Sequence, residues 1–143
     1  MSKSIRGATF LAFPCDLAAP VLRIEDQDIL ENWECKILIL RLMGKKWPEI
    51  ANPNTFLAIC DDTDEWLACL PEAWYVYYLP ALMILAEEGL DPRFENLRGS
   101  LLLELAENEF ISQSSLARLQ YLRARLNESQ QSVIQLFLDK YDK

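Results

Sequence analysis

The chain of 143 residues contains no histidine. Histidine is the usual general base near neutral pH, the activating partner of serine and cysteine nucleophiles, and a common transition-metal ligand. Glycine is also scarce, and its four residues are scattered: Gly7, Gly44, Gly89 and Gly99. A phosphate-binding loop needs clustered glycines. These absences argue against most catalytic mechanisms and against nucleotide binding through such a loop, so we expect no enzyme activity and no cofactor.

Closely spaced cysteine pairs are absent too. Cys15, Cys35, Cys60 and Cys69 are separated by 20, 25 and 9 residues and have apolar neighbours. A structural zinc site needs close Cys or Cys/His pairs, so we expect no metal site. The first residues resemble no secretory signal, because Pro14 breaks a short apolar run. We therefore expect a cytoplasmic protein with four buried free thiols.

No hydrophobic run is long enough to cross a membrane. The longest uncharged stretch, residues 73–86, has fourteen residues and contains Pro80, whereas roughly 30 Å of hydrocarbon requires about twenty. We expect no membrane insertion. The length predicts one domain over residues 1–143, with an irregular segment at 1–24 and a helical core at 25–143.

The stretch from Trp66 to Ala86 is the most hydrophobic and aromatic part of the chain. It predicts a central helix that opens at Pro71, bends at Pro80 and continues to Gly89. Its tryptophans and tyrosines cannot all face one side of a helix. Some phenol groups are therefore expected to reach its polar side or another chain.

Hydrophobic periodicity elsewhere predicts a mainly α protein, a compact bundle of five or six helices with a possible small N-terminal β element. The strongest pattern is a helix over residues 25–43, whose predicted buried stripe is Leu30, Trp33, Ile37 and Leu40, widened by Ile29, Leu38 and Leu42. The prolines of residues 44–54 predict a loop. Within residues 1–24, short apolar segments between prolines fit edge strands or an arm packed over helices.

Capping signals predict the remaining helices. Asp62 or Thr63 suits the N-cap of a helix that enters at Glu65. A further helix is predicted over about 95–107. Another begins at Ser112 or Ser114, and a capping box of Asn127 and Gln130 opens the last one. The last two helices are expected to form a hairpin.

Negative charge is concentrated in the middle of the chain. The formal charge is −8, and between residues 47 and 109 thirteen acidic residues face only two arginines. Such a field repels nucleic acid and attracts basic proteins, although it could simply keep a leucine-rich protein soluble. A calcium loop at 61–65 would lack the required glycine and distal glutamate. The candidate partner-binding residues are Asp61, Asp62, Asp64, Glu65, Glu87 and Glu88.

Two segments of the sequence resemble a family of small uncharacterised bacterial proteins. These proteins pair a Gly-x-x-Trp-x-Glu segment with a Pro-Glu-Ala-aromatic-x-Tyr-Tyr-Leu-Pro-Ala motif. The matching positions are Gly44, Trp47, Glu49, Pro71–Ala73 and Tyr77–Ala81, and the similarity covers roughly residues 40–140. Two departures are Trp74, where the family has phenylalanine, and Leu70, which cannot cap as the family's threonine does. The resemblance implies a fold and supplies no functional site.

The functional hypothesis is a protein-binding module without enzyme activity. Its most concrete form is an immunity or antitoxin-like inhibitor, a monomer or homodimer, that covers a basic surface of a toxin-like protein. One alternative is a small carboxylate-dependent enzyme with Glu72 as its acid or base, since apolar neighbours could raise the pKa of that residue. The other is a structural homo-oligomer built on the tyrosines and tryptophans.

Overall fold

The protein, seen in a computed structural model, is described over residues 4–106 and 112–141. It is mainly α, as predicted, with 77% of the described residues helical. The described residues form nine α-helices and one 3₁₀ helix, and no strand: α1 Ile5–Ala12, the 3₁₀ helix Ile24–Glu31, α2 Trp33–Leu42, α3 Trp47–Ile50, α4 Pro53–Ile59, α5 Thr63–Cys69, α6 Glu72–Glu88, α7 Pro92–Leu105, α8 Gln113–Arg125 and α9 Glu128–Tyr141. None of these helices is long and apolar enough to cross a bilayer.

Helix α6 is the centre of the core. Every residue from Leu79 to Ala86 is buried, and α1, α3, α7 and α8 pack around the helix. A helix that is hydrophobic on all sides must be surrounded in this way. Pro71 is the N-cap and provides no side-chain hydrogen bond. The predicted helix from Pro71 to Gly89 is confirmed.

The aromatic side chains of this stretch are used inside the fold. Trp66, Trp74, Tyr75 and Tyr78 are buried. Tyr77 is half-buried, and its hydroxyl donates a hydrogen bond to the Leu17 carbonyl at 2.9 Å. Tyr77 therefore reaches the polar side of the helix, as one half of the expectation has it, and the contact of a phenol with another chain stays a prediction.

The two segments that carry the family resemblance contact each other. Gly44 has a φ of 79°, which a residue with a side chain rarely adopts. The backbone N–H of Lys46 donates to Glu49 Oε2 at 2.6 Å. The Tyr78 hydroxyl donates to the Lys45 carbonyl at 2.6 Å, and the buried Trp47 indole donates to the Pro14 carbonyl at 2.9 Å. These bonds fix the 44–50 segment and the N-terminal segment onto α6.

Replacing Tyr78 by phenylalanine is expected to lower the free energy of unfolding by about 1–3 kcal/mol, because the buried Lys45 carbonyl loses its donor. Tyr77→Phe is the matched control. Its hydroxyl is partly exposed, so water can replace the lost bonds and the loss is smaller. Urea unfolding of both variants measures the difference, and equal losses would contradict this account of the buried bond.

The predicted helix over residues 25–43 is divided at Asn32. The side-chain oxygen of Asn32 accepts the N–H groups of Glu34 and Cys35 at 3.0 and 3.2 Å, and α2 begins after it. The predicted buried stripe is wrong in part, because Trp33 is 69% exposed and Leu40 54% exposed, whereas Leu38 and Leu42 are buried as predicted. Helix α2 is apolar on nearly all sides, so periodicity alone could not select its buried face. The residues that face the core are Cys35, Leu38, Ile39 and Leu42.

Near the N-terminus a helix occupies part of the segment expected to be irregular or extended, and residues 13–23 are irregular, as predicted. Ser4 Oγ accepts the Gly7 N–H and caps α1, whose Ile5 and Thr9 are buried.

Residues 44–54 are not a continuous loop. The reason is that Pro48 and Pro53 fall in the first turns of α3 and α4, where a missing N–H costs nothing.

The C-terminal helices follow their capping signals. Ser112 caps α8, and Asn127 and Gln130 exchange the two bonds of a capping box before α9. Helix α7 starts at Pro92, earlier than predicted, and the predicted end at Glu107 lies outside the described residues. Helix α8 packs on α6 and α7, whereas α9 packs on α1 and α7. Gln131 of α9 donates to the Arg123 carbonyl of α8 at 3.3 Å, and the hairpin of these two helices stays a prediction.

A disulfide joins Cys35 of α2 to Cys69 at the end of α5, with 5.1 Å between their Cα atoms. Cys15 is exposed and Cys60 half-buried, and both are free thiols. The expectation of four buried free thiols is therefore wrong. The pairing depends on α2 packing against α5, which the spacing of the cysteines does not reveal.

Candidate protein-binding surface

Four of the six predicted site residues are grouped by one turn of the chain. Asp61 and Asp62 lie in the connection between α4 and α5, and Asp64 and Glu65 lie in the first turn of α5. Asp62 Oδ1 accepts the Asp64 N–H at 3.0 Å, which confirms the predicted cap. Acidic residues in a first turn also complement the helix dipole. The local fold therefore accounts for the position of all four.

Packing of α2 against α5 adds a fifth carboxylate, Glu34. A hydrogen bond with the Glu65 side chain and the charge of Glu65 raise the pKa of Glu34, with smaller contributions from desolvation and the charge of Asp62. We call Glu34, Asp61, Asp62, Asp64 and Glu65 the acidic patch. Sequence reasoning missed Glu34, because nothing in the sequence signals that α2 meets α5 at this point.

Cys60 lies beside the acidic patch as a weak donor. Its Sγ is 3.2 Å from Glu65 Oε2 and 3.5 Å from the Asp62 carbonyl. Burial, supported by the nearby carboxylate of Glu65, raises the pKa of the Cys60 thiol to about 11. The thiolate is the nucleophilic form of cysteine. Cys60 therefore stays protonated near neutral pH and is poorly suited to nucleophilic chemistry.

The nearest cations are bound elsewhere. Arg93 binds the Asp91 carboxylate through Nε at 2.9 Å and Nη2 at 2.7 Å, and this pairing lowers the pKa of Asp91 to about 2. Arg41 Nη1 donates to the Ile59 carbonyl at 3.1 Å. Within residues 4–106 and 112–141, no carboxylate of the acidic patch forms an ion pair. The charge of Asp61 nevertheless acts on Arg93 and helps to raise the pKa of that arginine.

The other two predicted site residues, Glu87 and Glu88, have intramolecular partners. Glu88 Oε2 lies 2.8 Å from Nε of Arg6 on α1, and Glu87 Oε1 lies 3.2 Å from Nζ of Lys140 on α9. These ion pairs attach the end of α6 to helices other than α2 and α5. The structure therefore does not join Glu87 and Glu88 to the acidic patch.

Glu72, the residue of the enzyme hypothesis, is exposed in the first turn of α6. The apolar surroundings expected for it are absent. In that position it complements the positive end of the helix. Among the described residues, no group of three potential ligands is placed to hold a metal ion.

An exposed tryptophan adjoins the acidic patch. Trp33 precedes Glu34 at the start of α2, and Lys36 Nζ lies 5.9 Å from the centre of its ring. Leu40, seven residues further along, is also more than half exposed. Sequence reasoning placed both apolar side chains in the core and so missed this surface. A large exposed aromatic beside charged groups is typical of protein-binding surfaces.

Neutralising Glu65 by Glu65→Gln is expected to stabilise the protein at pH 7, because it removes the like charge beside Glu34. A carboxyl whose pKa is raised by folding binds its proton more tightly in the native state. Stability is therefore lost as the pH rises from the ordinary value near 4.5 through the raised one. The urea midpoints of Glu65→Gln and of the wild-type protein should accordingly differ more at pH 7 than at pH 4. Glu31→Gln, an exposed site outside the acidic patch, is the control, and a gain at Glu65 that does not depend on pH would contradict the proposed repulsion.

No protein family, no curated protein sequence and no solved structure matches the chain. The resemblance to small bacterial proteins therefore stays a prediction from its two motifs. The fold and surface define a mainly α protein with an exposed tryptophan beside an acidic patch that forms no ion pair within the described residues.

Proposed function

We propose that the protein is a binding module without enzyme activity, which uses the acidic patch to bind a basic protein. The observation that carries this proposal is the convergence of five carboxylates from α2, the α4–α5 connection and α5, with no intramolecular ion pair among the described residues. Like charges held close together oppose folding. A basic partner would remove that repulsion on binding.

The neighbouring apolar surface gives such a partner something to pack against. Charge complementarity chiefly speeds association and selects the partner, whereas buried aromatic side chains contribute much of the binding energy. Trp33 is exposed and adjoins Glu34, so one interface can include both contributions. The acidic patch alone would give a weak, salt-sensitive complex.

The most concrete form of the proposal is an immunity or antitoxin-like inhibitor. Such a protein acts by covering a positive surface of a toxin and needs no chemistry of its own. The support is the small size, the net charge of −8 and the absence of histidine, together with the acidic patch. Fast association would be useful to an inhibitor of this kind, and complementary charge raises the association rate.

The test captures partners of the full-length protein from its native cell at low ionic strength, and then measures association kinetics with the purified partner. Asp61→Lys/Glu65→Lys reverses two charges of the acidic patch and leaves the Asp62 cap intact. Glu128→Lys/Asp139→Lys makes the same change of net charge on α9 and is the matched control.

The charge reversal in the acidic patch should slow association at least tenfold at low salt. The difference in association rate between this variant and the wild-type protein should shrink as salt screens the charges. Trp33→Ala should instead speed dissociation. Failure to capture any basic protein, or equal effects of the two double variants, would overturn the proposal.

A further inference from the structure

A cleft with a volume of about 590 Å³ lies between α5, α7 and α8. Its volume is within the range of about 300–1,000 Å³ found for small-molecule sites. Asp64 of the acidic patch forms part of its lining, so the cleft and the acidic patch are continuous. The lining residues that matter are Asp64, Leu67, Ala68, Leu103, Glu104 and Arg118.

The carboxylate of Glu104 is the least satisfied group in this cleft. Its side chain is only 20% exposed, and its Oε2 atom is buried without a hydrogen-bond partner. A buried acceptor that lacks a donor costs free energy and is uncommon in folded proteins. Glu104 Oε2 therefore lacks a donor, and because the atom is buried, a donor in the cleft reaches this oxygen only when the Glu104 side chain turns towards the cleft.

Arg118 does not supply this donor. Its Nη1 is 3.7 Å from Glu104 Oε1, a long ion pair, and donates to the Leu67 carbonyl at 2.6 Å. The guanidinium carbon also lies 4.9 Å from the centre of the Tyr75 ring. Arg118 is thus held by a carbonyl and an aromatic face and leaves Glu104 Oε2 unpaired.

Tyr75 adds a second unpaired polar atom close to Glu104. Its hydroxyl is buried and has no hydrogen-bond partner. Burial, and after it the charge of Glu104, raises the pKa of the Tyr75 hydroxyl. This tyrosine stays neutral, so it does not balance the charge of the carboxylate.

The walls and the mouth of the cleft are apolar in part. Leu103 is 71% exposed, and Ala68 is exposed nearby on α5. Asp64 accepts a hydrogen bond from Ser100 at 3.3 Å and places its carboxylate at the mouth. A ligand that fits this arrangement has an apolar stem and a cationic end. Lysine and arginine side chains have that form.

We propose that the cleft receives a lysine or arginine side chain of the basic protein partner, which rests on the function proposed above. The cationic group donates to the carboxylate of Glu104, whose side chain turns towards it, and is attracted by Asp64, while the methylene stem packs on Leu103 and Ala68. Two carboxylates face one arginine that is already bound, so the charge of the cleft favours a cation over an anion. Charge-assisted bonds of this type are the stronger ones.

The test titrates the isotope-labelled full chain with N-acetyl-lysine amide and N-acetyl-arginine amide by NMR. N-acetyl-norleucine amide, which has a similar stem and no charge, is the control ligand. The cationic amides should shift the backbone signals of residues around Ala68, Leu103 and Glu104, and the uncharged amide should not. Glu104→Gln should weaken binding of the cationic probes at least fivefold, whereas Glu95→Gln on the same helix should leave their binding unchanged.

If Glu104→Gln perturbs the fold, Asp64→Asn provides the second variant, because it removes the charge at the mouth and keeps an acceptor for Ser100. Absence of shifts with both cationic probes, or equal binding in the variants, overturns the inference. A captured basic partner whose affinity is unchanged by Glu104→Gln also overturns it, while the proposed function stands. If the cationic probes bind the cleft and no basic partner is captured, the cation site holds and the proposed function fails.

Discussion

Reduction of the Cys35–Cys69 disulfide is expected to lower the free energy of unfolding by about 3–4 kcal/mol. The bond closes a loop with a sequence separation of 34. By the chain-entropy relation, a cross-link of this length destabilises the unfolded state by roughly that amount. The loss is a large part of the roughly 5–15 kcal/mol that stabilises a typical domain.

Urea unfolding with and without a thiol reductant measures this effect. The matched control is Cys15→Ser/Cys60→Ser, which removes both free thiols and leaves the disulfide as the sole target of the reductant. Thiol titration of the unreduced, denatured wild-type protein should find two reactive groups. Four reactive thiols, or a urea midpoint that the reductant does not change, would show that the disulfide does not form.

The same bond connects the two helices that build the acidic patch. Cys35 follows Glu34 in α2, and Cys69 lies four residues after Glu65 in α5. Disulfides persist in oxidising compartments and are rare in the cytosol, so the bond bears directly on the predicted cytoplasmic location. Trapping the thiols in native cells before fractionation would measure the location and the redox state together.

Gly89→Ala is expected to destabilise the protein by about 1–3 kcal/mol, through overpacking. A methyl group added at Gly89 would overlap the ring of Phe94 and lie 2.7 Å from its Cβ atom. Phe94 is 1% exposed and its ring contacts that of Phe56, so it cannot turn away. The backbone is not the cause, because Gly89 has a φ of −66°.

Gly99→Ala is the matched control for that substitution and should have the opposite sign. Gly99 lies inside α7, and an added Cβ would meet no atom within 4 Å. Alanine in a helix interior is more stable than glycine by about 0.5–1 kcal/mol. Thermal or urea unfolding should show a gain of stability for Gly99→Ala and a loss of stability for Gly89→Ala. Similar effects of the two would contradict the close packing at Gly89.

The sequence predicts helices well where a local signal defines their ends. Asp62, Ser112 and the pair Asn127 and Gln130 all cap the helices expected of them, because capping depends on residues only a few positions apart. The prediction is wrong where the buried face of a helix depends on contacts with residues elsewhere in the chain. The buried face of α2 is the example, since Leu38 and Leu40 are equally apolar and only packing against other helices separates them.

The same distinction applies to the binding surface. The run from Asp61 to Glu65 is visible as a cluster because its members are neighbours in sequence. Glu34 joins it through the contact of α2 with α5, and Glu104 faces the cleft through the contact of α7 with α8. No sequence pattern reports either contact. Glu87 has the same charge as the members of the cluster. It pairs instead with Lys140 on α9, more than fifty residues further along the chain.

Contact between α1 and α9 has a consequence for the synthesis of the chain. Ala12 accepts a hydrogen bond from Gln130 across a sequence separation of 118, and Ile5 and Phe13 are buried in the same core as Phe137. At roughly 5–20 residues per second, a ribosome needs on the order of ten seconds to pass from one helix to the other. During that interval α1 can pack on α6 but lacks α9, the other helix that covers its apolar face. The core can therefore close only after α9 has left the exit tunnel, and the nascent chain exposes a surface that chaperones can bind.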